Sequence, residues 1–457
     1  MIKKILKKDI SIYIFFVLLS STIYILIYNL FHYSPILGYD ADAHYSYVDF
    51  IARYLPREFK LPTNIDTYEF FSPPMAYLFP ASVQVICRNL IESDNLLLSC
   101  QPIYGKISQI FQSILYVITI YINLLSLKKI KNEKILFNTS YLILISLAAV
   151  NYRTISMIRG EPYLLFFMSL YIYILIKLEK ENYAYRTRMI FFTGLVIAGI
   201  ALSRQWGFLL FIPIIILTIK DVVKKRRIIV FKFWLKSSLI GFLLSGWFYF
   251  NLYFKYGTFT PFNLNSSKFS LNNQKLNFFI PSLNDITYLF TNPIRPFLNN
   301  QFTTILYADL WGDYWGYFTF TSKYLNIGRD QSEIGSYLAR VNIVSVFTTS
   351  LIIFMSYLAY KRYKKFDIIQ FIQLAIIVSF IGYLIFTIIY PTTSGDTIKS
   401  SYIIQLFNLV IFLASVYFHD LKRENMIVYN TLLIFLLIIY VHNFNSYLSH
   451  FPLYFYP

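Results

Sequence analysis

The chain has 457 residues, of which 57% are hydrophobic and 20% aromatic, while only 14% are charged. Apolar stretches of membrane-spanning length recur from end to end, which excludes a soluble globular protein. We predict an all-α fold, a polytopic membrane helix bundle, because in lipid a helix satisfies its backbone hydrogen bonds within one segment. The net charge of +18 alone is compatible with nucleic-acid binding, but the positions of the charged residues along the chain argue against it.

The basic residues concentrate in six short clusters between the apolar stretches. These clusters hold 25 of the 41 Lys and Arg residues, and they contain or adjoin eight acids, so together they account for +17 of the +18. They are residues 1–10, 128–134, 177–188, 220–236, 361–365 and 419–424. Such clusters are typical of cytoplasmic loops of membrane proteins. We therefore place all six clusters in the cytoplasm and expect no nucleic-acid partner.

Two clusters on the same side of a membrane must be separated by an even number of crossings. When all six basic clusters are cytoplasmic, the apolar stretches between and after them predict eleven helices, with the N-terminus inside and the C-terminus outside. The predicted spans are near 11–30, 106–127, 135–151, 163–177, 189–203, 207–219, 237–254, 340–360, 366–390, 400–418 and 426–444. The first is expected to be a retained helix, since it is too long for a signal peptide and lacks a small-residue cleavage site.

This topology predicts a single transmembrane domain over residues 1–444. Two long segments, 31–105 and 255–339, form a first and a second external loop, and residues 445–457 form an external tail. Within the first loop, one predicted helical face is apolar and another is polar. The apolar face carries Tyr45, Val48, Ala52 and Leu55, and the polar face carries Ser46, Asp49 and Arg53. This spacing predicts an amphipathic helix lying along the membrane surface.

The first external loop also carries ionisable residues directly after the first span. Asp40, Asp42 and His44 lie at the mouth of the predicted bundle, where charged groups are costly unless they have a function. Either Asp is a candidate general base. Asp40 is equally placed to cap the helix that begins near Ala43, and the two Asp with His44 offer donors for a divalent metal. Further on, Pro73-Pro74 favours a fresh helix start.

Two predicted hairpins, 135–177 and 189–219, have arms shorter than the ~20 residues that cross a bilayer comfortably. Their tips, at 153–161 and 203–206, are therefore expected to lie below the external surface and to face a polar cavity. The alternative is a thinner local membrane with snorkelling arginines.

The order of these residues resembles that of the C-type (GT-C) membrane glycosyltransferases, which include protein O-mannosyltransferases and lipid A aminoarabinose transferases. The matching residues are Asp40, Asp42, His44, Glu69, Pro73, Pro74, Tyr77, Arg159, Glu161 and Arg204. Segments 307–317 and 395–399 are similar to a smaller subgroup. Family members often carry adjacent Asp-Glu where this chain has Asp-Ala-Asp, so either Asp40 or Asp42 remains a candidate for the catalytic carboxylate.

The resemblance implies an inverting transfer of a hexose or pentose from a polyprenyl-phosphate donor to a lipid, glycan or protein acceptor outside the membrane. It implies catalysis by Asp40 or Asp42, with substrate bound by His44, Glu69, Tyr77, Arg159, Glu161, Arg204 and Lys399. The cations among these suit the phosphate. It implies no definite cofactor, and a divalent metal on Asp40, Asp42 and His44 stays possible. We expect a bacterial plasma membrane location.

Two other classes of protein fit the pattern less well. An O-antigen-type polymerase or ligase would use the second external loop, and a polytopic lipid or solute transporter would show repeats that we do not find. Trp311, Trp315 and Tyr317 fit either sugar stacking or interfacial anchoring. Cys87 and Cys100 both fall in the first external loop, where a disulfide is permitted, and their pairing is left open.

Overall fold

The structure is a computed structural model that describes residues 9–55, 57–90, 96–133, 136, 138–183, 187–225, 228–319 and 327–449. Most of the predicted external tail, residues 450–457, and the lysines of the first basic cluster lie outside the described residues.

The described residues form α-helices joined by 3₁₀ turns and irregular segments, with no β-strand among them. The helices are α1 Ser11–His32, α2 Ala41–Tyr54, α3 Met75–Leu90, α4 Leu96–Lys131, α5 Thr139–Ser146, α6 Ala149–Ile155, α7 Glu161–Lys180, α8 Thr187–Ser203, α9 Phe211–Lys225, α10 Ile228–Tyr256, α11 Leu276–Phe279, α12 Leu283–Thr291, α13 Phe302–Trp311, α14 Ile327–Tyr363, α15 Asp367–Ile389, α16 Ile404–Glu424 and α17 Met426–His442. Two 3₁₀ turns, Gln205–Leu210 and Ser400–Ile403, lead into α9 and α16.

Within these ranges, eight helices are long and apolar enough to cross a membrane. They are Ser11–His32, Cys100–Lys131, Glu161–Lys180, Gln205–Val223, Ile228–Tyr256, Glu333–Tyr363, Asp367–Ile389 and Ser400–Glu424. The polytopic helical bundle is thereby confirmed, while the count of eleven and the orientation stay predictions. The apolar helices α8 and α17 have 17 residues each.

The segment predicted as a span near 135–151 is not one continuous helix. It forms α5 and α6, of eight and seven residues, with a break at Leu147 and Ala148. Every residue of both helices is buried. Because neither helix has the length to cross a bilayer alone, this predicted span can cross only as a broken helix made of α5 and α6 together.

One end of the bundle carries the ends of several helices whose basic clusters were predicted to share a side. Lys131 Nζ lies 2.6 Å from Asp420 Oδ1, and the Tyr363 hydroxyl donates to Asp420 Oδ2 over 2.7 Å. Arg423 Nη2 lies 2.8 Å from Glu133 Oε1. These contacts join α4, α14 and α16, so their basic clusters do lie at one end.

Helix α1 packs against the last described residues of the chain. Asn29 is only 1% exposed; its amide nitrogen donates to the Tyr447 carbonyl over 2.8 Å, and its amide oxygen accepts from Ser449 N over 2.7 Å. Ser21 Oγ lies 2.7 Å from the Tyr440 hydroxyl. Ser21 and Asn29 of α1 thus find their hydrogen-bond partners in α17 and in the segment that follows it.

Helix α2 has the predicted amphipathic character. Tyr45 and Val48 are buried, whereas Ser46 and Arg53 are exposed. The prediction is wrong for Asp49, which is half-buried because it accepts hydrogen bonds from Gln84 and Gln101 on the neighbouring helices. Helix α3 begins at Met75, directly after the Pro-Pro pair as predicted.

Helices α2, α3 and α4 are fastened to one another at two points. Cys87 of α3 and Cys100 of α4 form a disulfide, which answers the question that the sequence left open. Asp49 of α2 accepts hydrogen bonds from Gln84 Nε2 at 2.5 Å and from Gln101 Nε2 at 2.8 Å. The disulfide and the hydrogen bonds of Asp49 hold α2, α3 and α4 together, and thereby hold the turn at the start of α2 in place.

Candidate functional site

Asp40 occupies the turn that opens α2. Its backbone is left-handed, with φ 61° and ψ 17°, and its side chain makes no capping hydrogen bond. Instead, Oδ2 accepts a hydrogen bond from Lys399 Nζ over 2.6 Å. The Asp40 side chain is 39% exposed, whereas that of Lys399 is buried. The capping interpretation therefore holds for the backbone position of Asp40 but is wrong for its carboxylate.

The charges around Asp40 keep its carboxylate ionised. Burial alone would raise the pKa of Asp40, but the positive charges of Lys399 and Arg159 outweigh burial and hold that pKa well below its usual range. Asp40 is thus a partly accessible anion that can accept a proton or a hydrogen bond.

Asp42 has a different environment from Asp40. It is exposed in the first turn of α2, and no hydrogen bond or ion pair joins it to another described residue. A carboxylate at this position complements the positive end of the helix dipole. Among the described residues, no group of three or more His, Cys, Asp or Glu side chains could hold a metal ion. The divalent site proposed on Asp40, Asp42 and His44 therefore has no supporting geometry.

His44 faces inward from α2. Its Nδ1 lies 2.7 Å from the Tyr77 hydroxyl, and its Nε2 lies 4.0 Å from Glu69 Oε1 without a hydrogen-bond partner. Burial is the main reason that the pKa of His44 is well below its usual range, and the charges of Arg159 and Arg204 lower it further. His44 is therefore neutral near pH 7, and it links α2 to the start of α3.

The two predicted hairpin tips meet at Gly160. A Cβ at this position would lie 2.1 Å from the carbonyl oxygen of Ser203 and 2.8 Å from Cδ of Arg204. Only glycine permits this approach, because a side chain would overlap both groups. The contact places Arg159 and Glu161, on either side of Gly160, next to Arg204.

Arg204 joins both tips to the segment that precedes α3. Its Nε and Nη2 lie 3.0 and 2.9 Å from Glu161 Oε1. Its Nη1 donates to Ser72 Oγ over 2.9 Å and lies 3.6 Å from Glu69 Oε2. All of these side chains are buried. Arg159 and Arg204 are thus buried at the tips, as expected, and the structure pairs both with carboxylates. The polar cavity that the tips were expected to face stays a prediction.

Arg159 and Lys399 stack against aromatic rings that the sequence analysis missed. The Arg159 guanidinium carbon lies 4.1 Å from the Tyr39 ring centroid, and its Nη2 donates to the Tyr39 carbonyl over 2.7 Å. Lys399 Nζ lies 4.8 Å from the Tyr39 centroid and 5.3 Å from that of Tyr402. Tyr39 and Tyr402 are close in sequence to the predicted site residues Asp40 and Lys399. This closeness was the signal by which they could have been included in the predicted site.

The structure thus brings six predicted site residues into one cluster with no net formal charge. Three are acidic and three are basic: Asp40, Glu69, Glu161, Arg159, Arg204 and Lys399. His44 and Tyr77 lie along one side of it, and Asp42 lies apart.

A second buried charge cluster supports the backbone next to Lys399. Arg153 Nη2 lies 2.9 Å from Asp309 Oδ1, and its Nη1 lies 3.7 Å from Asp313 Oδ1. Asp309 Oδ2 accepts from the backbone N–H and the hydroxyl of Ser400, over 2.7 and 2.5 Å. Asp309 was not among the predicted site residues. The presence of two acids, Asp309 and Asp313, in the aromatic segment 307–317 was a signal that could have indicated it.

The aromatic residues of that segment are packed inside the protein. Trp311 and Trp315 are buried, and Trp315 Nε1 donates to the Ile398 carbonyl over 3.2 Å. Both the sugar-stacking and the interfacial-anchoring interpretations are therefore wrong for these two indoles. Tyr317 is half-buried, and its ring centroid lies 5.5 Å from that of Tyr39, at the edge of the candidate site.

No known protein family matches this chain, and no curated protein shows significant similarity to it. The chemistry of the site therefore rests on its own geometry. It offers an accessible, ionised carboxylate beside buried Arg and Lys side chains, a combination suited to proton abstraction next to a bound anion.

Proposed function

We propose that the protein is an integral-membrane glycosyltransferase of the GT-C type. It transfers a hexose or pentose from a polyprenyl-phosphate donor to an acceptor hydroxyl, with inversion at the anomeric carbon. The observation that carries the proposal is the position of Asp40, a 39%-exposed carboxylate whose Oδ2 lies 2.6 Å from Lys399 Nζ. A base and a phosphate-binding cation are thereby adjacent, as a transfer from a sugar phosphate requires.

In the proposed reaction, Asp40 accepts the proton of the acceptor hydroxyl while the hydroxyl oxygen attacks the anomeric carbon. The bond between that carbon and the phosphate oxygen breaks, and its electron pair remains on the phosphate. Because phosphate is already a good leaving group, the main task of the protein is to stabilise its negative charge. Arg159, Arg204 and Lys399 supply cations for this task.

Lys399 has two anionic partners in this mechanism, Asp40 before the donor binds and the donor phosphate afterwards. An arriving phosphate competes for the ammonium group that lowers the pKa of Asp40. If Lys399 moves toward the phosphate, Asp40 loses a neighbouring cation and becomes a stronger base. The donor would then activate the carboxylate that the second substrate needs.

We further propose eleven spans, with the N-terminus inside, the C-terminus outside and the site on the external face of a bacterial plasma membrane. The support is the charge distribution. Basic clusters of α4, α14 and α16 meet at one end of the bundle, and the cluster around Asp40 is at the other. The acceptor is a lipid, glycan or protein hydroxyl that reaches the site from outside.

The test is loss of turnover in Asp40→Asn, measured with purified protein and labelled polyprenyl-phosphate hexoses and pentoses. Asn preserves the size of the side chain and tolerates the left-handed backbone of this position, but it cannot accept the proton. Turnover should fall by about 10²–10⁴, the usual contribution of a general base. Donor binding and thermal stability should change little.

Asp42→Asn is the matched control, because it makes the same chemical change two residues away on an exposed side chain. It should retain most activity. Loss of activity in Asp42→Asn alone would exchange the roles of the two residues. Full activity in both single variants and in the double variant would refute the site, and the polymerase and transporter alternatives would then be preferred.

A further inference from the structure

A cavity opens between α7 and α8 at the end of the bundle opposite the candidate active site. Its volume is about 620 Å³, within the range of small-molecule and cofactor pockets. Its wall includes Lys177 from the last turn of α7 and Arg188 from the first turn of α8. It is separate from the cluster around Asp40, because Glu161, which belongs to that cluster, begins α7 while Lys177 lies near its end.

The cations of this cavity differ from Lys131 and Arg423 at the same end. Those two are paired with acids, whereas no hydrogen bond or ion pair joins the Lys177 or Arg188 side chain to another described residue. A third cation, Lys129, lies 4.9 Å from the ring centroid of Tyr173 on the cavity wall. Among the described residues of the wall, Lys177 and Arg188 are basic and Glu181 is the one acid, so these residues carry a net positive charge.

An apolar row runs from the cavity along the outside of α8. Phe192, in the cavity wall, is 45% exposed, and Leu195 is 40% exposed. Arg188, Phe192 and Leu195 are four and three residues apart, so they lie on one face of the helix. A ligand that fits this surface has an anionic head at Arg188 and a hydrocarbon chain along the helix.

We propose that the cavity binds the headgroup of an anionic glycerophospholipid, with its phosphate between Lys177 and Arg188 and an acyl chain along Phe192 and Leu195. An Arg guanidinium can hold two phosphate oxygens at once, and the Lys ammonium adds a compact charge. Basic pockets between transmembrane helices recognise anionic headgroups in this way. Inorganic phosphate shares the head chemistry but cannot cover the apolar row.

The test compares Lys177→Gln/Arg188→Gln with the control Lys361→Gln/Lys364→Gln. Both pairs remove two positive charges from the same end, and Lys361 and Lys364 are exposed and outside the cavity. The full chain, purified in a neutral detergent, is titrated with dioleoylphosphatidylglycerol, dioleoylphosphatidylcholine or inorganic phosphate. Native mass spectrometry counts the bound lipids, and a thermal melt measures stabilisation.

We expect the wild type and the control pair to bind phosphatidylglycerol at least tenfold more tightly than the cavity pair, since two charge-assisted contacts are lost. Phosphatidylcholine should bind weakly to all three proteins. Equal phosphatidylglycerol binding by the two pairs would overturn the proposal. Stabilisation by inorganic phosphate as large as that by phosphatidylglycerol would also overturn it, because it would indicate a free-phosphate site. A melt without lipid checks that the cavity pair is folded.

Discussion

Replacing Arg153 by Met tests whether the buried charge cluster behind Lys399 stabilises the bundle. Met preserves much of the side-chain length but removes the guanidinium that lies 2.9 Å from Asp309 and 3.7 Å from Asp313. Both carboxylates have fully buried side chains. Removing one partner of a buried ion pair costs about 3–5 kcal/mol, because the remaining charge is left uncompensated.

The lower end of that range is expected here. Asp309 keeps its two hydrogen bonds from Ser400, and Asp313 keeps those from the backbone N–H groups of Phe318 and Thr319, at 2.8 Å each. A loss of about 3 kcal/mol should lower the midpoint of thermal unfolding by several degrees, because 1 kcal/mol shifts it by roughly 2–4 °C in medium-sized domains and by less in longer chains.

The assay is the fraction of folded protein after brief heating in detergent, followed by size-exclusion chromatography. Lys361→Met is the control, since it removes a cation from an exposed site and should change stability by less than about 0.5 kcal/mol. Adding Asp309→Asn to Arg153→Met should recover part of the loss, because one of the two uncompensated carboxylates becomes neutral. A midpoint for Arg153→Met equal to that of the control would refute the reasoning.

Two further predictions concern the candidate site and the topology. In Lys399→Met, the pKa of Asp40 should rise, since the cation that lowers it is gone and burial alone raises it. Asp40 must be ionised to act as a base, so the acid limb of the kcat/KM profile should move to higher pH, and an unchanged limb would exclude Asp40 as the titrating base. For the topology, a Cys at Lys364 should react with a membrane-impermeant thiol reagent only from the cytoplasm, and a Cys at Asn272 only from outside. Labelling of both positions from the same side would disprove the proposed orientation.

Local sequence patterns predicted the parts of the site that depend on neighbouring residues. The alternation of apolar and polar residues gave the buried and exposed faces of α2, and Pro73-Pro74 gave the start of α3. The shortness of the two hairpins predicted that Arg159 and Arg204 would be buried at their tips. Each inference needed only helix geometry and the thickness of a bilayer.

Long-range pairings were beyond such patterns. Asp40 and Lys399 are 359 residues apart, and Arg153 and Asp309 are 156 residues apart, so no periodicity relates them. The break between α5 and α6 has no local signal either, since Leu147 and Ala148 include neither proline nor glycine. This break depends on the packing around two completely buried helices, and hydropathy alone does not separate a broken span from a continuous one.

The contacts of Asn29 also have a consequence for biogenesis. Helix α1 leaves the ribosome more than 400 residues before Tyr447 and Ser449, which supply the hydrogen bonds of the Asn29 amide. Throughout that interval the amide must be hydrated near the membrane surface or held by a temporary partner, since unsatisfied polar groups are costly in lipid. A nascent chain that stops before α17 therefore leaves the Asn29 amide and the Ser21 hydroxyl without these partners.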